Sequence, residues 1–204
     1  MYLVRHGATL HNEARPVVLQ GTRVDSPLSE TGKAQAKAVG ECLAGLPFVA
    51  VYASGLLRAR ETAASLAQPH GHDVVVDDRL REVDVGDWEG VTWEQIARDE
   101  SEPYRKFMQD PATHGYLNGE NYTDVLARVE AAFEDLLHRH AGQVFAVVAH
   151  NVVNRVYLSR VLGLELRHAR RLRQDNGGIN VVRRKKQNTE LVTLNSLQHL
   201  DQRQ

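Results

Sequence analysis

Short apolar runs, each cut off sharply and separated from the next by helical pattern, constrain this chain more than any other feature. Tyr2-Leu3-Val4 stops at Arg5-His6-Gly7, Phe48 to Ala53 lies between Pro47 and Ser54, Val74 to Val76 runs into Asp77-Asp78, and Val144 to Ala149 halts at His150. The unbroken run from Phe48 suits a strand buried on both faces, since a strand with one wet face alternates. Helical segments lie between the runs. Ser29 is placed to cap a helix whose apolar positions Val39, Cys42, Leu43 and Leu46 recur at helical spacing, and 56–67 reads as another helix. A longer one carries Tyr122, Val125, Leu126, Val129, Phe133, Leu136 and Leu137 on one face, closed by His138-Arg139-His140 and Gly142. Helical pattern resumes over 152–162, and 179–183 with 190–194 reads as a hairpin. The alternation predicts an α/β three-layer sandwich: a mostly parallel central sheet with helices on both faces. Over 79–121 the pattern loosens around Trp88, Trp93 and scattered prolines and glycines, so a partly helical insertion is expected at about 91–120.

A chain of 204 residues is long enough for one good core, and a single domain over 1–204 is the expectation. With 25 Lys+Arg against 26 Asp+Glu the formal net charge is −1, which excludes a strongly basic nucleic-acid binder or an acidic solvating tail as a reading of the whole chain. The local basic stretch, Arg167, Arg170, Arg171 and Arg173 with Arg183 to Lys186, has no interleaved aromatics; it reads as a solvated helix and a charged turn, and no nucleic-acid partner is expected. Cys42 is the only cysteine, so no internal disulfide framework exists and a reducing compartment fits; its expected place is that of a small buried hydrophobe. No apolar run reaches the ~18 residues of a membrane span, and the start MYLVRH has no leader pattern. A cytoplasmic protein without a membrane partner is expected, and a homodimer is compatible with everything above.

Ligands of open parallel sheets bind beyond the carboxyl ends of the strands. His6 and His150 both lie directly after strand runs, which places them at that edge. Arginine forks match phosphate oxygens, and Arg5 and Arg58 are the candidates to hold a dianion. A neutral imidazole can attack phosphorus and carry the phosphoryl group; His6 is so placed, with Gly7 permitting close backbone approach. His150, at the mouth of a helix, adds a donor where negative charge is already favoured. A leaving alkoxide needs a proton, and Glu82 is the carboxyl chosen to supply it. The remaining histidines read as background. His70/His72 and His138/His140 lack nearby acidic or cysteine ligands, so no metal or other cofactor is expected.

The segments Leu3 to Thr9 (LVRHGAT), Ser54 to Ala63 (SGLLRARETA), Leu80 to Gly90 (LREVDVGDWEG) and Val148-Ala149-His150, in this order, resemble the histidine phosphatase superfamily, also called phosphoglycerate mutase-like. The resemblance implies that His6 is the phosphorylated nucleophile, that Arg5, Arg58 and His150 bind the phosphoryl group, and that Glu82 is the proton donor. It also implies pocket-lining places for Asn12 and the Gln20-Gly21-Thr22 turn; Arg81 and Asn151 are added as neighbours of the site. Gly119-Glu120 resembles the family's Gly-Glu-Ser, but with Asn121 third, which keeps a helix-capping role. Mutases of this kind usually carry Glu-Arg-His-Tyr-Gly around the proton donor. Here Glu82 is followed by Val83-Asp84-Val85-Gly86, closer to the broad-specificity and α-ribazole-type phosphatases. The expectation is a metal-independent phosphomonoesterase that acts on small phosphorylated metabolites through a phosphohistidine. The alternatives are a phosphoglycerate mutase and a non-catalytic protein binding a phospholigand or RNA.

Overall fold

The computed structural model describes residues 1–186 and 188–200; the end of the expected 1–204 domain lies outside them. In chain order the elements are β1 (Tyr2–Arg5), α1 (Leu10–Glu13), α2 (Glu30–Leu43), β2 (Phe48–Ala53), α3 (Leu57–Ala67), β3 (Val74–Val76), α4 (Trp93–Asp99), α5 (Ser101–Gln109), α6 (Tyr122–Arg139), β4 (Val144–Ala149), α7 (Asn151–Leu162), β5 (Ile179–Lys185) and β6 (Asn188–Ser196). The strands form one sheet in the order β3-β2-β4-β1-β5-β6. The pairs among β1 to β4 are parallel, while β5 runs against β1 and β6 against β5.

Alternate side chains of the strands enter two cores. Leu3, Tyr52, Phe145, Val147 and Ala149 pack with α6, α7 and the aromatic residues of the insertion. Val4, Val51, Ala53, Ala146 and Val148 pack with α2 and α3. This is the three-layer arrangement that the alternation of elements requires. The α2–α3 contact is close because the facing side chains are small: a Cβ on Gly40 would run into the Ser65 carbonyl oxygen.

Capping works as the sequence suggests. Ser29 Oγ accepts from Gly32 N at 3.0 Å, and Asn121 Oδ1 accepts from Asp124 N at 2.9 Å. Cys42 is a correction: it is exposed. The buried stripe of α2 runs through Gly32, Ala36, Val39, Gly40 and Leu43, and Cys42 falls on its solvent flank. The strand at Val74 lies on the sheet edge, so Val75 and Val76 are exposed there. Both hairpin strands extend beyond the expected limits. The insertion is organised around Trp88, Trp93, Phe107 and Tyr116, whose rings meet one another at centroid distances from 4.5 to 6.5 Å.

Candidate active site

Sheet order decides which strand ends meet. Arg5 pairs in register with Ala149, and Ala53 with Val148. The residues that follow, His6, His150 and Ser54, therefore emerge side by side at one edge. The rings of His6 and His150 lie 5.1 Å apart. Both are buried, as are Arg58 and Glu82.

His6 is held by backbone and His150 by a side chain. His6 Nδ1 lies 2.6 Å from the Gly7 carbonyl oxygen. A carbonyl only accepts, so Nδ1 carries the ring proton and Nε2 keeps its lone pair. Gly7 is required by space as well, because a Cβ there would strike the Gly32 carbonyl oxygen at the start of α2. Gly7 N donates to Thr62 Oγ1 at 3.0 Å, and that hydroxyl donates to Arg58 O at 2.8 Å, which ties the His6 loop to the helix bearing Arg58. Ser54 Oγ lies 2.6 Å from His150 Nε2 and accepts from Leu56 N at 3.4 Å. His150 Nδ1, on the other side of the ring, is buried without a protein partner among the described residues.

The arginines are tethered at their outer nitrogens. Arg5 Nη1 donates to Gln174 O at 2.7 Å, and Arg58 Nη2 and Nη1 donate to Gly21 O and Val24 O at 2.8 and 3.2 Å. The Nε of each is buried and unpaired among the described residues. Burial lowers Arg5 to about 10, with Glu82 opposing the shift, and lowers Arg58 from its usual range for the same reason. Burial, reinforced by the charges of Arg58 and Arg5, holds His6 well below the ordinary histidine range. Burial and then Arg58 do the same to His150. The centre thus combines two cations with two neutral imidazoles, His6 with a free lone pair at Nε2 and His150 with an unpartnered Nδ1. Such a set can bind a phosphoryl dianion and attack its phosphorus.

Glu82 is fixed by backbone donors. Its Oε1 accepts from Val83 N at 2.9 Å and from Val152 N, in the first turn of α7, at 3.2 Å. The loop that carries it is clasped by Arg128, which donates to the carbonyls of Arg79, Arg81 and Glu82 while pairing with Glu120. Glu120 Oε2 in turn accepts from Asp84 N at 2.9 Å. Gly119-Glu120 is therefore a brace for the Glu82 loop.

The other sequence candidates sit around this centre. Asn12 Oδ1 accepts from Thr9 N and from Asn176 Nδ2, and the same Asn176 amide donates to His6 O. Gln20 bonds Thr9 Oγ1 and Val24 O. Gly21 orients Arg58 through its carbonyl, and its own N–H is held by Glu89. Arg81 is exposed and reaches Thr22 O at 3.4 Å. Asn151 follows His150, with its Oδ1 buried and unpaired among the described residues. Sequence reasoning missed the roles of Ser54, Thr62, Arg128, Gln174 and Asn176, which act through tertiary neighbours. His70 stacks on His72, His72 Nε2 lies 2.7 Å from Phe48 O, and His140 contacts Tyr52, so these rings have structural partners.

The family model described as histidine phosphatase superfamily (branch 1) matches residues 1–197. The chain is 30% identical over 200 residues to "Phosphoserine phosphatase 1" of Hydrogenobacter thermophilus, covering 98% of this chain and 93% of that one. It is 36% identical over 183 residues to "Probable phosphoglycerate mutase GpmB" of Erwinia tasmaniensis, covering 89% and 83%. Among solved structures, Bacillus stearothermophilus YhfR superposes with a TM-score of 0.90 at 29% identity, covering 98% of each chain.

Proposed function

The chain belongs to branch 1 of the histidine phosphatase superfamily, and on that premise we propose that His6 is the nucleophile of a phosphomonoesterase working through phosphohistidine. The protein is a phosphatase of small phosphorylated metabolites. The observation that carries the mechanism is the commitment of His6 Nδ1 to Gly7 O, which leaves Nε2 as the reacting atom beside Arg5, Arg58 and His150. Nε2 attacks phosphorus and the bond to the leaving oxygen breaks. The arginines and His150 stabilise charge on the equatorial oxygens, and Glu82 as the acid gives its proton to the leaving oxygen. Water then attacks the phosphohistidine, passing a proton to the Glu82 carboxylate; phosphate leaves and neutral His6 returns. The arginines supply the positive charge, so the reaction as drawn uses no metal, and a chelator should leave the rate unchanged.

Rapid quenching with a phosphomonoester tests this reading. Acid-labile phosphate on His6, absent from His6→Ala, is expected; steady turnover by His6→Ala would overturn it. The identity to the Erwinia protein favours a second reading, phosphoglycerate mutase. Against it stands the sequence after Glu82, Val83-Asp84-Val85, where such mutases usually have Arg-His-Tyr. Release of phosphate faster than isomerisation of phosphoglycerate separates the two. No described helix is long and apolar enough to cross a membrane, and a single-domain cytoplasmic enzyme is the setting this reading supports.

A further inference from the structure

The segment leading into β5 closes over the end of β1. Gly178 N donates to Asp175 O at 2.9 Å to form a turn, and from that turn Gly177 N reaches Arg5 O at 3.1 Å while Arg5 N donates to Gly178 O at 3.1 Å. Asn176 Nδ2 adds a bond to His6 O at 3.0 Å. The guanidinium of Arg5 has a single acceptor among the described residues, Gln174 O at 2.7 Å. Arg58, by contrast, is held by two carbonyls, those of Gly21 and Val24. Whatever fixes the Gln174 carbonyl therefore aims Arg5.

Gln174 is buried, and every hydrogen-bonding atom of its side chain is engaged. Its Nε2 donates to Arg173 O at 2.8 Å and to Asn180 Oδ1 at 3.0 Å, and its Oε1 accepts from Asn154 Nδ2 at 3.1 Å and from Asn180 Nδ2 at 2.9 Å. Asn180, buried on β5, is saturated in the same way: Nδ2 also donates to Leu3 O at 2.9 Å, and Oδ1 also accepts from Asn195 N at 2.9 Å. Backbone decides how both amides point, since Leu3 O and Arg173 O only accept and Asn195 N only donates. Turning either amide over would set like groups against each other. Asn195 closes the network from β6, with Oδ1 accepting from Asp175 N at 2.8 Å and Nδ2 donating to Asp175 Oδ2 at 2.7 Å. A buried polar network whose members are satisfied holds one geometry. The pairing of β5 with β1 already secures the two strands; what the amide pair adds is the placement of one carbonyl beyond them.

We infer that Gln174 is a positioning residue for phosphoryl binding: its side-chain amide, locked to Asn180, fixes the backbone carbonyl that aims Arg5. Gln174 acts through Arg5 and touches no substrate. A donor held in place beforehand costs no reorganisation when the dianion arrives. The inference rests on the phosphatase reading in one respect, that Arg5 is a ligand of the phosphoryl group.

Orthophosphate titrated by calorimetry is the probe, because its binding needs no turnover. Gln174→Met keeps the length of the side chain and the backbone carbonyl but removes the side-chain bonds to Arg173, Asn154 and Asn180. It should weaken phosphate about 10-fold, the scale of one hydrogen bond to a charged group. In an Arg5→Ala background the same substitution should change the affinity by less than about twofold, since residues that act as one unit are not additive. Equal weakening in both backgrounds, which a merely structural role produces, or no weakening in the first, would overturn the inference. If Gln174→Met does not fold, Asn154→Ala replaces it by removing the bond from α7 alone. That variant should weaken phosphate about threefold, again only while Arg5 is present; no loss, or a loss independent of Arg5, counts against the inference. A wild type that forms no phosphohistidine, with the dependence on Arg5 intact, would sink the phosphatase reading alone.

Discussion

The proposed phosphoryl pocket and the Glu82 side of the same proposed site are built on different plans. Around the pocket, backbone carbonyls orient three of the groups: Gly7 O just after β1 holds His6, Gly21 O in the loop before α2 holds Arg58, and Gln174 O in the segment before β5 holds Arg5. On the Glu82 side the loop is braced by side chains, Arg128 and Glu120, and Tyr116 and Tyr122 lie within range of the Glu82 charge. A backbone-held site is stiff and suits the one group that every phosphomonoester shares. A side-chain-built wall can vary without disturbing the chemistry, which suits the part of the substrate that differs.

The sharpest break of this comparison is His6→Ala, expected to lower kcat/KM by roughly 10⁴-fold or more on any phosphomonoester. A small or substrate-dependent loss in steady-state assays would mean that the pocket is not the common element. Glu82→Gln should lower kcat by about 10³-fold for alkyl esters, and by about 10-fold less for 4-nitrophenyl phosphate, whose leaving group departs without a proton. Identical losses on both would remove Glu82 from the acid role. Trp88→Ala, at the centre of the aromatic cluster, should destabilise by about 3–5 kcal/mol in urea titration, while inorganic phosphate still inhibits at nearly the wild-type concentration. Loss of phosphate inhibition in the folded variant would show that the two regions are not separable.

The smallest effect concerns pH. His6 and His150 have lowered values in the folded chain, so just below about pH 6.5 the unfolded chain takes up protons that the folded one refuses. Their contribution to stability is present above that pH and is lost as pH falls, with a limiting slope of about 1.4 kcal/mol per pH unit for each ring. Denaturant titrations at pH 7.5 and 5.5 should show this slope reduced in a His6→Asn/His150→Asn variant. An unchanged slope would place the acid sensitivity elsewhere.

Much of the pocket could be read in the sequence because each part is a local motif at the end of an apolar run. Arg5-His6-Gly7 and Ala149-His150 mark strand ends, and Arg58, chosen over Arg60 by the family spacing, is the buried one of the two. Cys42 misled because helical spacing alone does not say where the buried stripe ends. Arg128 gave no signal at all, being one more charge on an amphipathic helix until its carbonyl partners came together.

By itself the sequence determined the order of strands and helices, their caps and the residues able to handle phosphate, because hydrophobic period and end chemistry are local properties of the chain. Only the tertiary structure decided that β4 lies between β1 and β2, bringing His150 against both His6 and Ser54, and that Arg128 reaches the carbonyls of the Glu82 loop. Those contacts follow from strand neighbours and register, which bring together residues far apart in the chain, and no short window of sequence contains both partners.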